Sequence, residues 1–196
     1  MSVSMIVLII IVLLVVLLVI WGIGIYNGLV NLRNRVANGW AQIDVQLKQR
    51  ADLVPNLVQT VKGYASHEST VLEEVTKARA DVAQAQAQTA GGDQMQARAD
   101  AEQRLGQSLV NLMARAEAYP ELKANQNFLD LQRQLKDLED KIAYARQFYN
   151  DVVQKFNTRI ETVPSNIIAS LFHFRQAQYF QADEGSRQAP VVDFGQ

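Results

Sequence analysis

The chain has 196 residues, carries 19 Lys+Arg against 20 Asp+Glu for a formal net charge of -1, and contains no cysteine. The length suits a single domain with an anchor. So even a balance provides no field for holding a phosphate backbone by counterion release, so nucleic acid is not an expected partner. Without cysteine, disulfides, thiolate nucleophiles, Cys-ligated zinc and iron-sulfur clusters are excluded by inventory.

The first element is the most distinctive. From Met5 to Ile25 no side chain is charged or carries an amide or hydroxyl group. As a helix this stretch reaches about 30 Å, the hydrocarbon thickness of a bilayer. It predicts a single transmembrane anchor over residues 1–28, faced by Met5, Ile10, Leu14, Leu18 and Ile25, with Trp21 and Tyr26 at headgroup level. A cleaved signal peptide is the competing reading, and it lacks both the charged n-region and a small-x-small cleavage site. Arg33, Arg35, Lys48 and Arg50 follow the span, which turns the soluble part toward the cytoplasm.

Residues 29–182 read as an all-α domain. Val36, Trp40, Ile43, Leu47, Val54, Leu57, Val61 and Tyr64 follow three- and four-residue steps, with Arg50 the only polar residue in the series. Pro55 falls inside this helix and predicts a kink near Val54 rather than an end, because the register continues across it. Gly63 and the run Ser66, His67, Glu68, Ser69 suggest a turn or cap, before a helix that becomes Ala/Gln-rich from Ala83 to Ala90. Gly91-Gly92 predicts a hairpin tip. A third helix from about Gln94 to Ala118 carries Leu105, Leu109, Leu112, Met113 and Ala116 on one face and stops before Pro120.

The fourth helix, expected from Asn125 to Val163, has the longest seam: Phe128, Leu131, Leu135, Leu138, Ile142, Ala145, Tyr149, Val152, Phe156 and Ile160. Such a run predicts coiled-coil-like packing in an elongated antiparallel bundle. After Pro164 come Ile167, Ile168, Leu171, Phe172 and Phe174, extended by Tyr179 and Phe180, which form the candidate interaction surface. These residues could instead cap the bundle's own core. Contact with the bilayer surface is disfavoured because Arg175 is the only cation beside them in sequence. Residues 183–196 are expected to be an irregular tail.

Several blocks together resemble the LemA family of bacterial membrane-anchored proteins: WAQIDVQLKQRADLVPNLVQTVKGYASHE from Trp40 to Glu68, EAYPELKANQNFLDLQ from Glu117 to Gln132, ARQFYNDVVQKFN from Ala145 to Asn157, and PSNIIASLFHF from Pro164 to Phe174. The resemblance implies a long-helix bundle on an N-terminal anchor in the bacterial inner membrane. It implies no reaction. A magnetosome-membrane protein belongs to that family, and some of its members are encoded near membrane metalloproteases.

No catalytic constellation is legible. The two histidines, His67 and His173, lie more than a hundred residues apart, and Glu68, Glu73 and Glu74 beside His67 read as a solvated cluster, so no metal site is expected. Glycine-rich phosphate loops and a GxSxG elbow are missing as well. The chain is read as neither an enzyme nor a cofactor binder. Two polar pairs interrupt the seams, Asp44 with Arg50 and Asn150 with Asn157. They would fix register if buried, but an exposed position is the preferred reading. The expected function is a scaffold that self-associates at the membrane as a homo-oligomer through its long helices. The alternative is an adaptor that binds another membrane protein, such as a protease, through the aromatic C-terminal segment.

Overall fold

The computed structural model describes residues 2–65, 68–87 and 92–180, with backbone alone at 92–95. Among the described residues there are six helices and no strand: α1 Val3–Lys62, α2 Ser69–Ala87, α3 Gly92–Ala116, α4 Pro120–Lys123, α5 Gln126–Glu161 and α6 Ser165–Leu171. His67, Gly91 and the tail expected at 183–196 lie outside the described residues.

The anchor runs into the first seam without a joint, as one 60-residue helix. Helix α1 continues through Pro55, and Val54, Leu57 and Val61 all stay buried, so the register is kept across the proline. It closes on a turn in which the amides of Tyr64 and Ala65 both donate to the Val61 carbonyl. Helix α3 stops at Ala116, two residues before the expected end. Pro120 opens α4 as its first helical residue, where a missing amide leaves nothing unpaired. Asn125 caps α5: its Oδ1 accepts from the Phe128 amide at 3.0 Å, satisfying one of the unpaired donors of the first turn. At the other end of α5 the Ser165 hydroxyl lies 2.6 Å from the Arg159 carbonyl and 2.9 Å from that of Thr162, positions where carbonyls lose their helical partners.

The chain divides into two compact units, Met1–Gln42 with Gln147–Tyr179, and Ile43–Arg146 with Phe180–Gln196. In the second unit α2 packs on α3, and the core is built from Val54, Leu57 and Val61 of α1, Leu72, Val75 and Val82 of α2, Leu105, Leu109 and Leu112 of α3, and Phe128 and Leu135 of α5. Those of α1, α3 and α5 are seam positions read from the sequence. In the first unit Tyr149, Val152, Val153 and Phe156 of α5 are buried, and Trp40 meets the Tyr149 ring edge-on at 5.8 Å. Gly39 faces Tyr149 closely: a Cβ there would lie 3.4 Å from Tyr149 Cδ2 and 3.5 Å from its Cα, in contact with it and leaving no room for a larger side chain.

Candidate interaction surface

Along α1 every large side chain from Met5 to Ile23 is exposed, including the anchor residues Met5, Ile10, Leu14, Leu18 and Trp21. The character changes within one turn. Ile25 and Leu29 are buried and form a small core with Ala169 of α6, joined by Ile160, Ile168 and Phe174. Tyr26 lies 4.6 Å from the Phe172 ring and 5.8 Å from that of Phe174. The last two residues assigned to the anchor, Ile25 and Tyr26, therefore pack against the chain's own C-terminal segment, a contact that local periodicity cannot reveal.

Helix α6 has two faces. Ser165 and Ala169 are buried, while Ile167 and Leu171, one turn apart, are 64% and 67% exposed. Phe172 follows at 53%. The helix ends with the His173 amide on the Ser170 carbonyl and the Phe174 amide on that of Ala169, with His173 at φ 54°. This double bond pattern with a left-handed residue after the cap is a Schellman ending, usually occupied by glycine. His173 thus has a backbone role. The turn swings Phe174 inward, where the Arg33 guanidinium stands 5.3 Å from its ring centre. Residues 174–180 then run without helix. The Asn157 carboxamide donates to the Ala177 carbonyl and accepts from its amide, each at 2.9 Å, and the Tyr149 hydroxyl donates to the Gln178 carbonyl at 2.8 Å. Burial raises the Tyr149 phenol above its ordinary value.

Of the seven residues expected to form the surface, Ile167, Leu171, Phe172 and Tyr179 are exposed, Ile168 and Phe174 are half-buried against α1, and Phe180 is 3% exposed. Phe180 belongs to the second unit, where the Arg146 guanidinium lies 4.5 Å from its ring centre. The segment caps the core with one face and leaves the other open.

The second unit holds a charged cluster that the sequence reading placed at the surface. Arg50 is 2% exposed and Glu102 is 0%. One Arg50 nitrogen donates to Glu102 Oε2 at 2.7 Å and to the Glu102 carbonyl at 2.8 Å, and the other to Glu139 Oε1 at 2.9 Å. Arg98 pairs with Asp44. Burial raises the Glu102 carboxyl above the ordinary glutamate value, opposed chiefly by the Arg50 charge, and burial lowers the Arg98 and Arg146 guanidiniums. The expectation of exposure fails for Arg50 because a seam position in a 60-residue helix is enclosed whatever residue occupies it. It fails likewise for Asn157, which is buried and clamps Ala177. One signal for Glu102 was present in the sequence: it stands three residues before Leu105, in step with Leu109 and Leu112.

Among the described residues no group of three or more His, Asp or Glu side chains is placed to hold a metal ion. A groove of about 470 Å³ between α1 and α2, lined by Val58, Lys62, Leu72, Glu73, Thr76 and Lys77 among others, is predominantly apolar.

An exposed apolar stretch that leads into a packed set of long helices defines a membrane-associated, all-helical protein. The sequence profile of the LemA family matches residues 39–194, and the chain belongs to that family. It is similar to magnetosome protein MamQ 2 of Paramagnetospirillum magneticum, 24% identical over 186 residues that cover 85% of this chain and 68% of the relative. Protein LemA of Metamycoplasma hominis is 24% identical over 165 residues, 84% of this chain and 73% of its own. MamQ of Magnetospirillum gryphiswaldense is 23% identical over 186 residues, 85% and 68%.

Proposed function

We propose that this protein is a single-pass scaffold of the bacterial inner membrane that self-associates through its anchor and serves contacts rather than a reaction. The observation that carries this reading is α1: one unbroken helix whose large side chains are all exposed from Met5 to Ile23 and that enters the protein core from Ile25 onward. The bilayer is the partner such a helix requires, since its apolar surface is otherwise left in water. Arg33 and Arg35 follow the span and favour a cytoplasmic position for the rest of the chain.

The α5 seam is an unsuitable route to self-association, because Leu135, Leu138, Ile142, Ala145, Tyr149, Val152 and Phe156 are already buried within the chain. The anchor offers another. Gly24 and Gly28 are exposed and one turn apart, and a side chain built at either meets nothing within 4 Å. Small residues at that spacing let two membrane helices approach closely.

The test is the mass of the full-length protein in mild detergent, corrected for bound detergent, beside the Gly24→Leu/Gly28→Leu variant, with chemical crosslinking of both in native membranes. A defined multimer in the parent and its loss in the variant are expected. Monomers by both methods in the parent would refute self-association. Release of the protein from membranes by alkaline carbonate would refute the span. The adaptor reading rests on the exposed Ile167, Leu171 and Phe172, and would show as a co-purifying membrane protein that Phe172→Ser removes.

A further inference from the structure

We propose that the open face of α6, formed by Ile167, Leu171 and Phe172, is inserted into the lipid at the boundary between headgroups and acyl chains, as a second membrane contact beside the span. The proposal rests on the reading of α1 as a transmembrane helix and adds a lipid-binding site far from it in sequence.

Depth carries the argument. Ile168 Cδ1 lies 3.7 Å from where a Cβ on Gly22 would stand, and Phe172 is stacked 4.6 Å from Tyr26. From Met5 to Ile25 the helix rises about 30 Å, which matches one hydrocarbon layer, so Gly22 lies in its last turn and Ile25 marks its far edge. Whatever touches Gly22 and Tyr26 is held at that level. The outward side chains on α6 then lie beside the exposed apolar surface of α1 at that level.

The chemistry of the segment agrees. From Val163 to Phe174 there is no Asp, Glu, Lys or Arg, and of its few polar groups the Ser165 hydroxyl serves the end of α5 while the His173 backbone closes α6. Charge appears only at the margins, with Arg175 next in sequence and Arg33 brought over the Phe174 ring by the fold. Tyr26 and Phe172 meet at the end of the span, where aromatic rings favour the interface. A soluble helix of seven residues would gain nothing by exposing Ile167 and Leu171 on one side. A lipid boundary makes that exposure favourable.

The test exploits the absence of cysteine. Single cysteines at Leu14, Leu171 and Val110 of the full-length chain, all exposed positions, are labelled with an environment-sensitive fluorophore and reconstituted in vesicles of phosphatidylcholine with a minority of phosphatidylglycerol. Nitroxides placed near the top or the bottom of the acyl chain are the lipid quenchers, and iodide is the aqueous one. The proposal expects a blue-shifted label at 171 that shallow nitroxides quench more strongly than deep ones, a label at 14 quenched best by deep nitroxides, and a label at 110 quenched by iodide alone. If 171 behaves as 110 while 14 reports the acyl chains, the interfacial contact is refuted and the span stands. A label at 171 shielded from both lipid and iodide also refutes it, and places protein on that face. Failure of 14 to sense lipid refutes both the span and the proposal that rests on it. Leu171→Glu should leave the far-UV spectrum unchanged and remove the shallow quenching of a label at 167.

Discussion

Replacing Arg50 by methionine should be among the most damaging single changes in the bundle, although the new side chain is apolar and of similar length. The arginine is enclosed, and its two terminal nitrogens satisfy one oxygen of the fully buried Glu102, the Glu102 carbonyl and one oxygen of Glu139. Methionine fills much of the space but leaves Glu102 without its nearest counter-charge. Breaking one side of a buried pair costs about 3–5 kcal/mol, because the remaining charge is desolvated and unpaired. For a chain of this size that corresponds to a fall of roughly 10 °C in Tm. Removing both partners is a different perturbation. Arg50→Met combined with Glu102→Leu leaves no orphaned charge inside and should recover most of the loss, since apolar replacements of buried pairs are often neutral or stabilising. Thermal unfolding of the full-length protein in mild detergent, followed by circular dichroism, gives the three curves needed. If Arg50→Met lowers stability by less than about 1 kcal/mol, or if the double variant is no better than the single one, the cluster does not work as a buried pair.

Glu102 also predicts a dependence on pH. Its folded value is raised above the unfolded one by burial, against the pull of Arg50, Arg98 and Arg146. The fold thus holds this proton more tightly than the unfolded chain does, and the associated stability is fully present below the ordinary glutamate value and lost as pH rises through the raised one. Melting curves from about pH 4 upward should show this decline in the parent and not in Glu102→Gln; an identical decline in both would refute it. At His173 the backbone is left-handed, a conformation that costs a residue with a Cβ about 1–2 kcal/mol. His173→Gly should raise Tm, and His173→Val should lower it. Gly39→Ala meets Tyr149 at ordinary contact distance and should gain up to about 1 kcal/mol in helix propensity. Gly39→Leu should cost about 1–3 kcal/mol by overpacking, and comparable melts would show that the helices are not held as close as described.

The helices were legible because their signals are local and repeated. The α5 seam holds its step over ten positions, so neither Pro164 beyond it nor the caps need be known to place its buried face. Asn125 before it and Pro120 at the head of α4 are likewise short-range signals. What could not be read depends on where the chain returns. Ile25 and Tyr26 have the composition of an anchor, and only the fold brings Ala169, Phe172 and Phe174 against them. Arg50 was visible as an interruption, but helical period gives a direction and not a partner 52 or 89 residues away. The end of α6 had no glycine or asparagine to mark it, because His173 accepts the left-handed backbone in their place. Arg33 is invisible as a neighbour of the aromatic segment in the sequence, since it lies on α1 and reaches Phe174 only across the packed unit.

That last contact changes the balance between the two roles considered for the C-terminal segment. A segment that merely capped a core would bury its largest side chains and turn polar ones outward, yet α6 buries Ser165 and Ala169 and turns Ile167 and Leu171 out. In water this arrangement loses the hydrophobic stabilisation of two aliphatic side chains, about 1.5–3 kcal/mol each. The inversion becomes favourable where an apolar medium or an apolar partner covers that side. The position of α6 beside Gly22, at the end of a stretch that spans one hydrocarbon layer, supplies such a medium without requiring any further protein. The proposed self-association and lipid contact would then use different sides of the same helix: Gly22 and Ile25 meet α6, while a Cβ at Gly24 or Gly28 meets nothing within 4 Å.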